Sequence, residues 1–213
     1  MLRSPPTRRV GLAAQRGLTL IELLVTVTLL GLLLLAVMPN VTEWLRSAEV
    51  RNAAESIVNG IQKARAEAVR RNRTVLFSLV STPAGMPGQL SSTCALSATS
   101  ASWVVSLASP EGKCDVAPSE TAAPQTLEKH AQGDGARNAV VTMLAADCTS
   151  AAATSQIKFD SLGRPTTDVT ALRCLKVTHA TGSATTIRVV VDAGGGVRSC
   201  LPDLTATGDP RRC

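Results

Sequence analysis

The feature that most constrains this chain is a predominantly apolar run over residues 18–38, in which Glu22 is the one charged residue. About 21 residues in a helix cover roughly 30 Å, which matches the hydrocarbon core of a bilayer. A secretory signal peptide has a shorter apolar region that ends in a small-x-small cleavage site, whereas this run ends in the bulky Met38. The run therefore predicts a transmembrane helix.

Glu22 is the anomaly in this prediction. An ionised carboxylate inside a bilayer costs on the order of 3 kcal/mol unless it finds a partner, so intramembrane carboxylates mark functional sites by default. A plain membrane anchor offers no reason for it. We therefore treat Glu22 as the first candidate functional residue.

The residues before the run are basic, and positive charge before a membrane helix keeps that end in the cytoplasm. These residues are Arg3, Arg8, Arg9 and Arg16, and they are followed by Gly17. The sequence has 22 basic and 16 acidic residues; without these four arginines 18 basic residues remain, so the net charge falls from +6 to about +2.

A basic leader, a glycine and an apolar helix with an early glutamate resemble the N-terminus of type IV pilins and pseudopilins. The resemblance implies that a prepilin peptidase cuts between Gly17 and Leu18 and that Leu18, in place of the usual Phe, is then N-methylated. It also implies that Glu22 neutralises the terminal amine of a neighbouring subunit in a filament. Opposite charges in a low dielectric satisfy each other, which agrees with that role.

The resemblance divides the chain into a leader over 1–17, a transmembrane and filament-core helix over 18–38, an amphipathic continuation over 39–73 and a β-rich head over 74–213. Pro39 is expected to bend the helix without ending it. The continuation carries apolar residues at spacings of three and four, which predicts a helix with one buried face to about Asn72. These residues are Ala54, Ile57, Val58, Ile61, Ala64 and Ala68. The basic run over 65–73 is typical of a solvated helix end.

After Asn72 the sequence changes to β-branched and apolar segments separated by turns rich in Gly, Pro and Asp, among them 160–165, 181–183 and 193–196. We predict seven strands, at 74–80, 102–107, 139–144, 156–159, 171–179, 185–191 and 197–200. Residues 89–101 and 115–138 are predicted to be surface loops. The fold class is α+β, with one long N-terminal helix packed on an antiparallel β head.

All six cysteines fall in the head, and an even number in a translocated domain indicates disulfides in an oxidising compartment. Six cysteines allow 15 connectivities. We favour sequential pairing, that is Cys94 with Cys114, Cys148 with Cys174, and Cys200 with Cys213. A zinc site is the competing interpretation, but neither a CxxC pair nor a close Cys/His cluster occurs in the sequence.

Segments of the head indicate a narrower family within this resemblance. The Trp-Val-Val strand at 103–105, the Ile-Lys-Phe-Asp segment at 157–160 with Gly163 and Arg164, and the glycine turn into Val197 and Arg198 are similar to the GspH/FimT family. That resemblance implies a minor pseudopilin of a type II secretion system or a minor pilin of a type IV pilus. It implies a periplasmic head on an inner-membrane protein that crosses the membrane once, with other pilin-like subunits and the prepilin peptidase as partners.

Some members of this family bind DNA through a C-terminal Gly-Arg-x-Arg stretch. Here Arg198 matches that stretch, but Gly196 replaces its first arginine; Arg211 and Arg212 could lie nearby if Cys200 and Cys213 are bonded. DNA binding is therefore kept as the alternative to a solvated basic tail, because Lys and Arg contacts to phosphates need no sequence specificity.

Catalysis is not expected. His130 and His179 are the two histidines, and neither has a His or Cys neighbour at metal-ligand spacing. The chain has no Gly-x-Ser-x-Gly elbow, and residues 194–196 lack the Lys-Ser/Thr ending of a phosphate-binding loop. We expect no cofactor and no metal.

Overall fold

The computed structural model describes residues 17–86, 88–97, 99–165, 173–182 and 185–213. Most of the predicted leader, the predicted start of a strand at 171 and part of the turn at 181–183 lie outside these residues. The chain divides into two compact units, Met1–Val41 and Thr42–Cys213. We describe each unit by itself.

The first unit contains the start of helix α1, which extends over Leu20–Arg71. Thr19 is the N-cap: its Oγ1 accepts a hydrogen bond from Glu22 N at 3.3 Å, and its carbonyl oxygen accepts the bond from Leu23 N at 3.1 Å. Thr26 and Thr28 donate their hydroxyls to carbonyl oxygens of the preceding turn. This part of the helix therefore satisfies its polar groups internally and exposes apolar side chains.

Among the described residues, no single straight helix meets the length and hydropathy criteria for a membrane span. The segments Leu20–Leu35 and Asn40–Arg71 meet them only as a bent pair.

The helix ends close to the predicted position. Asn72 has a φ of 49°, a left-handed conformation. Arg73 N donates to Ala68 O and Asn72 N donates to Val69 O, both at 3.2 Å, which is the Schellman pattern of helix termination. Asparagine tolerates this conformation better than most residues, so the chain leaves the helix here.

The described residues of the second unit form eight antiparallel strands in two sheets. Sheet one has the order β3-β2-β1-β5 and sheet two has the order β4-β6-β7-β8. The α+β class is confirmed. The strands are β1 Val75–Leu79, β2 Trp103–Ser106, β3 Thr126–His130, β4 Ala139–Leu144, β5 Gln156–Phe159, β6 Cys174–His179, β7 Ile187–Val191 and β8 Val197–Cys200.

The prediction of a loop throughout 115–138 is wrong, because β3 lies inside it. β3 is an edge strand that pairs with β2, and His130 is opposite Trp103 in the register. Thr126 is its one fully buried residue, while Glu128 and Lys129 are partly exposed. A strand with so little apolar content has no periodic signal in the sequence; pairing with its neighbour holds it in place.

One core joins α1 to both sheets. The apolar residues predicted on the helix are buried in it, with Val58 partly buried at its margin. The helix passes closest to sheet one at Gly60, where a Cβ atom would lie 2.8 Å from the rings of Phe77 and Trp103. Glycine at this position therefore sets the helix-to-sheet distance.

Two turns, one from each sheet, meet beside the helix. The turn at 160–165 is built around Asp160, whose Oδ1 accepts hydrogen bonds from two backbone amides, and Asp192 plays the same part in the turn at 193–196. Gly195 has a φ of 81°, and a Cβ atom there would collide with the carbonyl oxygen of Gly163. Both turns were predicted from the sequence.

Arg65 of the helix links these two turns. Its Nε donates to Gly163 O at 3.2 Å and its Nη2 donates to Gly194 O at 3.3 Å. One guanidinium therefore contacts a turn of each sheet. Arg65 belongs to the basic run at 65–73 that is predicted to be a solvated helix end; it is exposed, and it also makes these two tertiary hydrogen bonds.

Candidate functional site

The predicted cleavage site lies immediately before the helix. Gly17 and Leu18 are exposed and non-helical, and Thr19 caps the helix after them. A peptide bond outside the helix has no intrahelical hydrogen bond to break before a peptidase can bind it. The local structure is therefore compatible with cleavage between Gly17 and Leu18.

Glu22 occupies the first turn of α1 and its side chain is exposed. Among the residues that the structure describes, no cation lies within ion-pair distance of its carboxylate. A carboxylate in the first helical turn interacts favourably with the helix dipole, but this effect amounts to about 0.3–1 kcal/mol. That is less than the cost of burying the charge in a bilayer, so another partner is needed there.

The head contains three disulfides in the predicted sequential order: Cys94–Cys114, Cys148–Cys174 and Cys200–Cys213. Cys94 and Cys114 form a small second core with Val80 and Val104, on the face of sheet one that points away from the helix. Within the described parts of the chain, no group of three His, Cys, Asp or Glu side chains is arranged to hold a metal.

Both histidines take part in packing. The ring of His130 stacks on Trp103 with centroids 5.7 Å apart. His179 Nδ1 accepts the backbone N–H of Thr181 at 3.2 Å, so a neutral ring carries its proton on Nε2, which lies 3.4 Å from Glu49 Oε2. Glu49 is on the helix, and this contact connects α1 to the end of β6.

The basic helix end carries a compact ion-pair network. Arg70 donates two hydrogen bonds to Glu67 Oε2, at 2.6 and 3.1 Å, and Arg71 donates another at 2.7 Å. The hydrogen bonds from Arg70, with a further contribution from Arg71, lower the pKa of Glu67 although its burial opposes them. Arg71 also pairs with Glu120 at 2.8 Å. These arginines are therefore already engaged within the head.

Arg198 lies on the face of sheet two that points away from the core. Ile187, Val189 and Val191 of β7 are buried in the core, so Arg188 and Val190 between them point outward. Arg198 is directly opposite Val190 in the pairing of β7 with β8. Arg198 consequently shares the outer face with Arg188.

Lys176 belongs to the same surface, because it is directly opposite Arg188 in the pairing of β6 with β7. Nε of Arg188 is buried and has no hydrogen-bond partner among the described residues. Like charges directly opposite each other destabilise a sheet. Sheet stability therefore does not explain this cluster. We call Lys176, Arg188 and Arg198 the cationic face.

Sequence reasoning identified Arg198 but missed Lys176 and Arg188. The available signal was a single cation flanked by apolar residues in each strand, as in the Leu-Lys-Val and Ile-Arg-Val segments at 175–177 and 187–189. Alternation shows that each cation points away from the core. Only the order of the strands shows that the three cations are neighbours.

The structure does not bring Arg211 to Arg198. Arg211 pairs with Asp209 at 2.8 Å, and this hydrogen bond lowers the pKa of Asp209 to about 2. Arg211 lines a cavity with Arg51 and Glu55 of the helix, whereas Arg198 is on the outer face of β8. Arg212 is exposed where the C-terminal segment bridges to Leu201.

Two family models match the chain. The model described as type II transport protein GspH matches residues 53–195, and the model of the prokaryotic N-terminal methylation motif matches residues 12–38. The first covers most of the head and the second covers the predicted cleavage site and apolar run. A comparison with curated protein sequences gave no match.

Among solved structures, the chain is similar to two crystal forms of the type IV minor pilin FimU from Pseudomonas aeruginosa. The first shares 13% sequence identity at a TM-score of 0.44 and covers 74% of this chain and 97% of that chain. The second shares 16% identity at a TM-score of 0.41 and covers 70% of this chain and 87% of that chain.

Proposed function

The chain belongs to the GspH family of type II transport proteins, and from this premise we propose that it is a minor pseudopilin, a structural subunit of a type II secretion pseudopilus. Pilin-type proteins are filament subunits and not enzymes. The observation that carries the proposal is the methylation motif, which lies directly ahead of a GspH-type head in one chain.

Maturation follows from the same motif. The prepilin peptidase removes residues 1–17 by cutting after Gly17, and Leu18 then carries the N-methylated amine. The exposed, non-helical backbone at Gly17 and Leu18 supports this step. Residues 18–38 remain as the membrane and filament-core helix, residues 39–73 continue it, and residues 74–213 form the head.

Orientation follows from charge. The leader arginines keep the N-terminus in the cytoplasm, so a single crossing of the inner membrane places the disulfide-bonded head in the periplasm. Apolar side chains exposed along the described start of α1 then contact lipid before assembly and neighbouring helices afterwards. Glu22 pairs with the terminal amine of an adjacent subunit and so removes the cost of two isolated charges in a low dielectric.

Replacement of Glu22 by the isosteric Gln tests the assembly role. We expect Glu22→Gln and Glu22→Ala to be cleaved normally, as judged by mass spectrometry of the N-terminus, but to remain in the membrane fraction after filaments are sheared from cells. Glu43→Ala is the matched control, because Glu43 is an exposed glutamate in the same helix. Entry of Glu22→Gln into filaments at the wild-type level would contradict the assembly role.

Crosslinking in living cells distinguishes a type II secretion pseudopilus from a type IV pilus. Capture of a secretion pseudopilin by the helix supports the proposed machine, and capture of a pilus subunit supports the alternative. In that alternative the protein is a type IV pilus minor pilin that binds DNA for natural transformation. The cationic face is the observation that favours it, because it offers adjacent lysine and arginine side chains to phosphates.

A salt titration tests the alternative. DNA binding by the cationic face would weaken steeply with salt, with each lost phosphate contact reducing the log–log slope by about 0.9. Lys176→Ala and Arg198→Ala would each reduce that slope, whereas Lys158→Ala, an exposed strand lysine on sheet one, would leave it unchanged. Absence of binding at low salt would end this hypothesis.

A further inference from the structure

β8 is an edge strand of sheet two, and part of its edge is unpaired. Asp192 N donates to Gly196 O at the hairpin end, and antiparallel alternation then directs the backbone groups of Arg198 and Cys200 toward β7. The backbone groups of Val197 and Ser199 therefore point out of the sheet. Among the described residues, none pairs with them through its backbone.

The chain itself shows that this edge accepts a strand. Leu201 continues the outward series, and its N–H donates to Arg211 O at 2.7 Å. Leu201 also forms a parallel bridge with Arg212 of the C-terminal segment. The Cys200–Cys213 disulfide holds this segment in place. The C-terminal segment thus pairs with the edge at Leu201 but does not extend to Ser199.

Two separate cavities lie between β8 and α1, and we call them together the groove. The first, of about 690 Å³, is lined by Val197 and by Ala66 and Val69 of the helix. Val69 is 53% exposed although it lies on the side of the helix next to the sheet edge. The second cavity, of about 380 Å³, is lined by Ser199.

The charge of the groove restricts what can fill it. Its lining includes four arginines and one glutamate: Arg51, Arg65, Arg70, Arg211 and Glu55. Arg70 pairs with Glu67 and Arg211 pairs with Asp209, so one net positive charge remains. The groove therefore favours an occupant with apolar side chains and acidic flanks.

We propose that β8 binds an extended segment of a partner protein by strand addition, with its backbone on Val197 and Ser199. Residues two apart in a strand point to the same face, so the side chains on the helix-facing side of the added segment are directed toward the two cavities. The partner segment consists of about four paired residues with apolar side chains at alternate positions. This inference concerns the head alone and does not depend on which filament the protein joins.

The test uses the full-length protein in detergent micelles and a synthetic peptide, acetyl-Glu-Thr-Val-Thr-Val-Thr-Glu-amide. We expect saturating peptide to slow hydrogen exchange at the amides of Val197 and Ser199 by about tenfold or more, because an amide in a ladder must open before it exchanges. Two further peptides carry backbone N-methyl groups, either on both valines or on the threonines. Only one of these two peptides should bind, because only every second residue of an added strand directs its backbone N–H toward β8.

Ser199→Pro removes an outward N–H, and proline is tolerated on the open side of an edge strand. We expect it to weaken peptide binding at least about tenfold, which corresponds to 1.4 kcal/mol. Ser199→Ala keeps the N–H and should bind as the wild type does. Val69→Asp places a charge at the larger cavity and should also weaken binding of the acidic peptide.

One pattern of results supports the proposal, and three others would overturn it. Protection at Val197 and Ser199 that is lost in Ser199→Pro but kept in Ser199→Ala supports strand addition. Equal binding of both N-methylated peptides would overturn the proposal. Unchanged hydrogen exchange at these two amides in the presence of millimolar peptide would also overturn it. Protection that appears on the β3 edge instead would also overturn it.

Discussion

The close approach of α1 to sheet one predicts that Gly60→Ala destabilises the head, against the usual trend for helices. Alanine is more favourable than glycine in a helix interior by about 1 kcal/mol. Here, however, the new Cβ atom would lie 2.8 Å from the rings of Phe77 and Trp103, whereas carbon atoms in contact prefer about 3.5–4.0 Å. Both rings are buried, and Trp103 is fixed by a 2.9 Å hydrogen bond to Ser56 Oγ.

Overpacking of this kind costs about 1–3 kcal/mol. Because both rings are buried in the core, we expect the upper part of that range, and the gain in helix propensity offsets about 1 kcal/mol of it. The free energy of unfolding should therefore fall by about 1–2 kcal/mol. Asn59→Ala is the matched control: it is one residue away on the exposed side and should stabilise the head by a few tenths of a kcal/mol.

Urea unfolding in mild detergent measures this effect. The fluorescence of buried Trp103 reports on the core, and Trp44→Phe removes the other tryptophan in the chain. Phe77→Leu in the Gly60→Ala background should recover part of the loss, because the smaller side chain makes room for the Cβ atom. A Gly60→Ala protein as stable as the wild type, or more stable, would refute the argument that the rings cannot move.

Three further predictions concern the helix end and the turns. Glu67→Gln should lower stability at neutral pH: the pKa of Glu67 is lowered in the folded state, so its contribution is present above the unfolded pKa of about 4.3 and disappears as pH falls through the folded pKa. Urea midpoints of variant and wild type should thus converge in acid; a constant difference would contradict this. Arg65→Met should lower the thermal midpoint by removing both turn contacts, and Arg65→Lys should recover little of it because an ammonium lacks the planar fork. Gly195→Ala should destabilise the head more than Gly182→Ala, because both glycines have positive φ but Gly182 has open space around it.

The sequence predicted most of the secondary structure because the relevant signals are local. Apolar spacing identifies the buried face of α1, and β-branched segments separated by Gly and Asp turns identify seven of the eight strands. β3 had no such signal, since its Thr-Leu-Glu-Lys-His sequence at 126–130 carries two charges and one aliphatic residue. Its position depends on pairing with β2, which is a tertiary effect.

The candidate sites also differ in whether their signal in the sequence is local or depends on tertiary structure. Gly17, Leu18 and Glu22 lie within six residues of one another, so a linear motif contains the whole hypothesis. The cationic face joins residues from three strands that are distant in the sequence, and it requires the order β6-β7-β8. The contacts of Arg65 could not be predicted for a related reason: its partners are carbonyl oxygens 98 and 129 residues further along the chain.

The three disulfides enclose separate stretches of the chain, and no stretch overlaps another. The first cysteine of each pair therefore bonds with the cysteine that is synthesised next, 20, 26 or 13 residues later. As the chain emerges from its N-terminal end, every second thiol completes a pair before a new one appears. If the head is exported as proposed, each pair of thiols is complete before the next cysteine appears, so oxidation in the order of synthesis gives the native pairing.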